Sequence, residues 1–154
     1  MTAAANPQER RRDLGETLEA LQQQRQKTLL AYSGLVGVNA SEQTPADGIG
    51  DIAPVALQEL LNVMVDYLAM GHFTVYQRII EGTERRGAVR EAAEVAYPGI
   101  GETTDVMVEF NDKYESFDGA AEDQQALKED LSRLGEMLAI RGDLEDEIIE
   151  ALRG

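Results

Sequence analysis

The one histidine of the chain, His72, is the residue best suited to general acid–base work or to metal binding near neutral pH. A carboxylate-bridged metal centre on helices needs an acid three or four residues from its histidine, whereas the positions around His72 hold Leu68, Ala69, Val75 and Tyr76. Cysteine is absent, which removes thiolate nucleophiles, thiolate metal sites and any disulfide framework. The acidic cluster Asp143, Glu145, Asp146 and Glu147 lacks the glycine and the ligand spacing of a calcium loop. No glycine-rich phosphate loop with its lysine occurs, and no Ser-His-Asp or Cys-His set sits at a strand-to-helix turn. Scattered carboxylates can still do acid–base chemistry, so a carboxylate-based enzyme is the remotest alternative. The expectation is a protein that is not an enzyme, with no catalytic residues, no cofactor and no metal site.

Binding is then the chemistry left to explain, and charge says what kind. The chain carries 29 acidic and 14 basic side chains, a formal net charge of -15. Nucleic-acid binding needs clustered Lys and Arg to displace counterions, and only Arg10, Arg11 and Arg12 form such a run. Direct contact with nucleic acid is therefore not expected. Acidity serves solubility by itself, but it also favours a basic partner, one class of which is the phosphate-facing surface of a DNA-binding domain. The start of the chain lacks the apolar core of a signal peptide, and no segment approaches the roughly 18 apolar residues of a membrane span. A soluble, cytoplasmic protein is expected.

The elements that would position a binding face are helices. Apolar residues at helical spacing, namely Leu14, Leu18, Leu21, Leu29, Tyr32 and Leu35 or Val36, predict a first helix over 7–36, with Arg25 filling one turn of the stripe. Residues 37–53, rich in Gly, Asn, Ser, Thr, Pro and Asp, read as a surface loop. Pro54 opens a second helix whose stripe is Leu57, Leu60, Leu61, Met64, Val65 and Leu68. Gly71 bends or breaks it before a third segment over 72–84. Two shorter helices follow, 87–96 stopped by Pro98 and 102–117 with Val106, Phe110 and Tyr114 in register. The last helix spans about 122–152, with the seam Leu127, Leu131, Leu134, Leu138, Arg141, Glu145, Ile148 and Leu152. The fold class is all-α, an antiparallel helical bundle in one domain over 1–154, with the first eight or so residues disordered.

On a wheel advancing about 100° per residue, Glu59 and Asp66 project from the side of the second helix opposite its core stripe. If that helix continues through Gly71, Phe73 joins them, with Met70 as a neighbour. An aromatic beside carboxylates is an interface signature, because Phe anchors contacts and acids select basic partners. If Gly71 turns the chain, Phe73 belongs to the core instead. His72 falls toward the core side, near Arg141 and Glu145, where a structural polar cluster would satisfy the buried guanidinium.

The run from Leu61 to Ile79, with its central Val65-Asp66-Tyr67-Leu68-x-x-Gly71-His72-Phe73-x-x-Tyr76, resembles the signature of the Rsd/AlgQ family of primary sigma factor regulators. Leu29-Leu30-Ala31-Tyr32 to Leu35-Val36-Gly37-Val38 upstream agrees in order and approximate spacing, as does Arg141 followed by Leu144-Glu145-Asp146 and Ile148-Ile149 downstream. The resemblance covers about residues 19–150. It implies an anti-sigma protein of helical-bundle fold that binds region four, the C-terminal helix-turn-helix region, of the housekeeping sigma factor. Promoter recognition and the sigma contact with core RNA polymerase would both be covered, in a one-to-one complex formed by a monomer. Asp66 and Phe73 match the family's sigma-facing positions. The chain departs from the family at Glu19-Ala20-Leu21, where an Asp-Arg-Trp sequence is usual, and at Gly142, where a phenylalanine follows the arginine. The alternative is an acidic regulatory adaptor that binds another cytoplasmic enzyme or a phosphocarrier protein.

Overall fold

A computed structural model describes residues 7–37, 49–72 and 87–153. These form four helices and, among the described residues, no strand: α1 (Pro7–Val36), α2 (Pro54–Met70), α3 (Gly87–Tyr114) and α4 (Ala121–Arg153). The segment expected to be helical after His72, Phe73 included, lies outside the described residues, as do most of the 37–53 loop and the Leu14 side chain.

The helices begin and end where local chemistry requires. Pro54 takes the first helical position of α2, where its missing N–H is no loss, and the Leu57 amide donates to the Ala53 carbonyl at 3.1 Å. α1 stops at Gly37, whose φ of 73° only glycine adopts freely and whose amide donates to the Ser33 carbonyl at 2.8 Å. Gly71 does not break α2. Its φ of -60° and ψ of -46° are ordinary right-handed values, and residues 71–72 continue as a wider turn. Pro7 and Gln8, expected to be disordered, already belong to α1.

α3 corrects the expectation of two helices separated at Pro98: one helix runs through the proline. Pro98 removes one ladder bond and frees the Glu94 carbonyl, but both residues are exposed, so water can take the missing donor's place. The neighbouring Gly99 faces α4, where an added Cβ would lie 2.7 Å from a methyl of Leu144. Close approach of two helices thus outweighs the local breaking signal.

The chain runs up and down. Gln24 and Thr28 of α1 meet the Val63 carbonyl while Leu35 lies near Ala56, so α1 and α2 are antiparallel. Arg25 reaches Glu145 and Tyr32 reaches Leu131, which sets α1 against α4; Gly99 beside Leu144 and Tyr114 beside Asp130 do the same for α3 and α4. The core is the expected seam of α4, all eight positions buried, packed on Leu18, Leu21, Leu60, Leu61, Met64, Met107 and Phe110. Each large aliphatic buried there contributes about 1.5–3 kcal/mol.

Two details depart from the sequence reading. Ile49 and Ile52, placed in a surface loop, are buried, and the Gln124 side chain clamps the latter by accepting from its amide at 2.9 Å and donating to its carbonyl at 3.0 Å. In α2 the buried residues are Leu57, Leu60, Leu61, Met64 and Tyr67, whereas Val65 is 43% exposed. The true stripe is rotated by about 35° from the expected one, toward Tyr67 and away from Val65 and His72.

Candidate protein-docking face

α2 has an inner and an outer side with opposite chemistry. Outward it presents Glu59, Asn62 and Asp66, all exposed, with Met70 half-buried against the core at the end of the ridge. Inward, one residue after Asp66, the buried Tyr67 hydroxyl donates to Glu145 Oε1 of α4.

That bond belongs to a polar strap through the middle of the bundle. Arg25 Nη1 donates to Glu145 Oε1 at 3.3 Å and to the Gly142 carbonyl at 3.3 Å, and its Nη2 reaches Asp146 at 2.9 Å. Arg141 Nε lies 3.5 Å from Glu145 Oε2, and its guanidinium stacks 5.2 Å from the centre of the Tyr67 ring. Arg141 Nη1 donates to Thr103 Oγ1 at 3.1 Å and Thr104 Oγ1 at 2.7 Å. Both threonine hydroxyls spend their single proton on the Ile100 carbonyl, at 2.7 and 3.0 Å, which leaves their lone pairs for the arginine. All four helices are joined, and two guanidiniums face two carboxylates, so little net charge is stranded.

The electrostatics follow from burial. Burial pushes the Tyr67 phenol well above its ordinary pKa of 10.0, and the adjacent Glu145 carboxylate pushes the same way. For Arg25 burial opposes the charge, but the Asp146 hydrogen bond and the two carboxylates outweigh it and hold the pKa above the ordinary value. Burial also raises Tyr114, aided by its hydrogen bond to Asp130, and Tyr32, whose hydroxyl donates to the Leu131 carbonyl at 2.8 Å.

Of the expected polar cluster, Arg141 and Glu145 are brought together and buried, each 1% exposed, while His72 is exposed and shares with Arg141 the lining of a groove between α2 and α3. The rotation of α2, about 35°, accounts for this, since it carries His72 out to the edge of the stripe. Sequence reasoning missed Arg25 and Tyr67 as strap members. An arginine occupying a core turn of α1 was the available signal for the first. Glu59 and Asp66 lie where the wheel placed them, on the outward side. No group of three or more His, Cys, Asp or Glu able to hold a metal occurs among the described residues. No helix there is long and apolar enough to cross a membrane.

Residues 1–153 match the family described as "Regulator of RNA polymerase sigma(70) subunit, Rsd/AlgQ". A protein named Regulator of sigma D from Yersinia enterocolitica serotype O:8 / biotype 1B is 32% identical over 133 residues, covering 82% of this chain and 74% of the relative. Proteins of the same name from Yersinia pseudotuberculosis serotype O:1b and Salmonella arizonae are 30% and 31% identical over 133 and 127 residues, covering 82% and 81% of this chain and 73% and 74% of those relatives. No solved structure matches the chain.

Proposed function

Since the chain belongs to the Rsd/AlgQ family, we propose that it is an anti-sigma protein that binds region four of the housekeeping sigma factor and limits its use by RNA polymerase. The observation that carries this reading is the outward ridge of α2, where Glu59 and Asp66 are exposed on a chain of net charge -15. A recognition helix built to meet phosphates is basic, and carboxylates fixed on a helix can occupy it in place of DNA. Binding acts by occlusion, so it needs no catalysis and no cofactor. The complex is one-to-one, forms in the cytoplasm, and leaves nucleic acid untouched. Met70 closes the ridge, and Phe73, which lies outside the described residues, matches a sigma-facing position of the family and supplies the aromatic contact of this reading.

Titration of the purified chain into fluorescently labelled sigma factor tests this. Asp66→Ala weakens binding by about 2–5 kcal/mol if the contact is desolvated, and the wild-type affinity falls with added salt. In a promoter assay, transcription falls when the chain meets sigma before core polymerase. Normal sigma binding by a folded Asp66→Ala, Phe73→Ala double variant would remove the ridge from consideration, and a shift of naked promoter DNA at physiological salt would contradict the occlusion mechanism.

A further inference from the structure

Beside the acidic ridge lies a groove of about 540 Å³ between α2 and α3. Seven large apolar side chains are exposed among the described residues, and three of them line this one groove: Val65, Tyr97 and Val108, at 43%, 38% and 43%. Scattered single exposures need no explanation, but convergence on one concavity does. Along α3 the lining runs from Tyr97 to Asn111, about 21 Å at 1.5 Å per residue, the length of roughly four helical turns. The floor is held by the strap: Arg141 and Thr104 line it, and the Arg141 guanidinium, lying over the Tyr67 ring and bonded to Thr104, bridges α2 and α3 beneath the groove.

We propose that this groove is the apolar socket that receives the non-polar face of a basic amphipathic helix of the sigma partner, with Asp105 in its wall and Asp66 past its margin to meet the basic flanks. The assignment rests on the sigma-binding reading and adds to it the site of the apolar contacts, next to the charge contacts rather than within them. Asp105 lines the α3 wall, and Asp66, exposed about 100° further round α2 than Val65, stands on the ridge beyond the groove's α2 edge, so a helix laid in the groove meets one carboxylate within it and another past its margin. Helix-in-groove recognition has this form, anchors every three or four residues below and charges at the margins. The competing groove between α1 and α2 is of similar size, about 520 Å³, but among the described residues it holds only Leu30 of the exposed apolar set, and its Lys27 offsets the Glu59 carboxylate that also lines it.

The test measures sigma binding by the full chain and its variants, with melting temperature alongside. A Val65→Ser, Val108→Ser double variant is expected to bind about tenfold more weakly or worse, through faster dissociation. The matched control, Val55→Ser, Val95→Ser, removes apolar groups exposed elsewhere and is expected to stay within about twofold of wild type. Val108→Lys, a single change at an exposed position, adds repulsion and is expected to weaken binding without loss of fold, which keeps the question answerable if the double variant melts early. Unchanged affinity of folded groove variants, with wild type binding sigma normally, overturns the socket and leaves the sigma reading intact. Absence of wild-type binding overturns both. A free dimer that the groove substitutions dissolve makes the groove a contact between copies, which also overturns the proposal.

Discussion

Glu145 is 1% exposed and meets two guanidiniums and a phenol, whereas Asp66, the residue just before that phenol on α2, faces solvent. The two carboxylates sit on either side of one helix and answer to different equilibria. Every oxygen of Glu145 is committed inside the bundle, so its charge holds four helices in register. Asp66 is spare within the fold, and its charge is available to a partner. A buried structural acid and a solvent-facing one are thus separated by the orientation of α2, in which the Tyr67 hydroxyl bonds Glu145.

Truncating Glu145 strains the inner half of this contrast most. Glu145→Ala leaves Arg141 buried without its carboxylate while Arg25 keeps Asp146 and the Gly142 carbonyl, and is expected to cost about 3–5 kcal/mol in urea unfolding. Glu145→Gln, which keeps the shape and an acceptor, costs less. A loss no larger than a surface substitution would break the contrast.

Next come two glycines on α4 that ought to respond in opposite directions. A Cβ at Gly135 would lie 2.2 Å from the hydroxyl oxygen of Tyr32, a side chain held by its own hydrogen bond, so Gly135→Ala is expected to destabilise by about 1–3 kcal/mol. At Gly142 the nearest atom is 3.8 Å away on Arg25, an ordinary contact, and Gly142→Ala should gain up to about 1 kcal/mol of helix propensity. Thermal melts of the two variants bracket the wild type.

Alkaline titration probes the inner side without mutation. Tyr67, Tyr32 and Tyr114 all have raised pKa values in the folded chain, so the folded state keeps protons that the unfolded state loses near 10.0. Their contribution is complete below that value and is lost as pH rises beyond it toward the folded values. Stability is expected to fall above about pH 10, with part of the tyrosinate absorbance appearing only together with loss of helix. Complete tyrosine ionisation in the still-folded chain would contradict the burial of Tyr67.

The smallest expected effect is on the outer side. Asp66→Ala should leave unfolding within about 0.5 kcal/mol of wild type while sigma affinity drops. A large stability loss would show that Asp66 is structural and erase the separation.

How much of this was legible in the sequence depended on where the deciding partner lay. α1 and the α4 seam were readable because long apolar periodicity is a property of one helix. The outward placement of Glu59 and Asp66 was readable for the same reason. The inward turn of Tyr67 was not: hydropathy ranks Val65 above it, and the carboxylate that draws the phenol inward lies 78 residues later. His72 was misplaced by that same rotation. Pro98 read as a stop because its exposed setting and the Gly99–Leu144 approach belong to tertiary structure. Ile49 and Ile52 were hidden in a loop composition, and only the Gln124 amide across the bundle shows what holds Ile52.

The proline in α3 has a further consequence, for amide exchange. With one rung missing beside Pro98, the helix can open on its N-terminal side without disturbing the turns after it. Residues 99–114 are pinned through Thr103 and Thr104 to Arg141, so their amides exchange only when the bundle as a whole unfolds. Residues 87–96 bury only Val89, Ala93 and Ala96 and are expected to exchange through a smaller, local opening. The single helix seen in space is therefore expected to exchange as two cooperative units, with the boundary at Pro98.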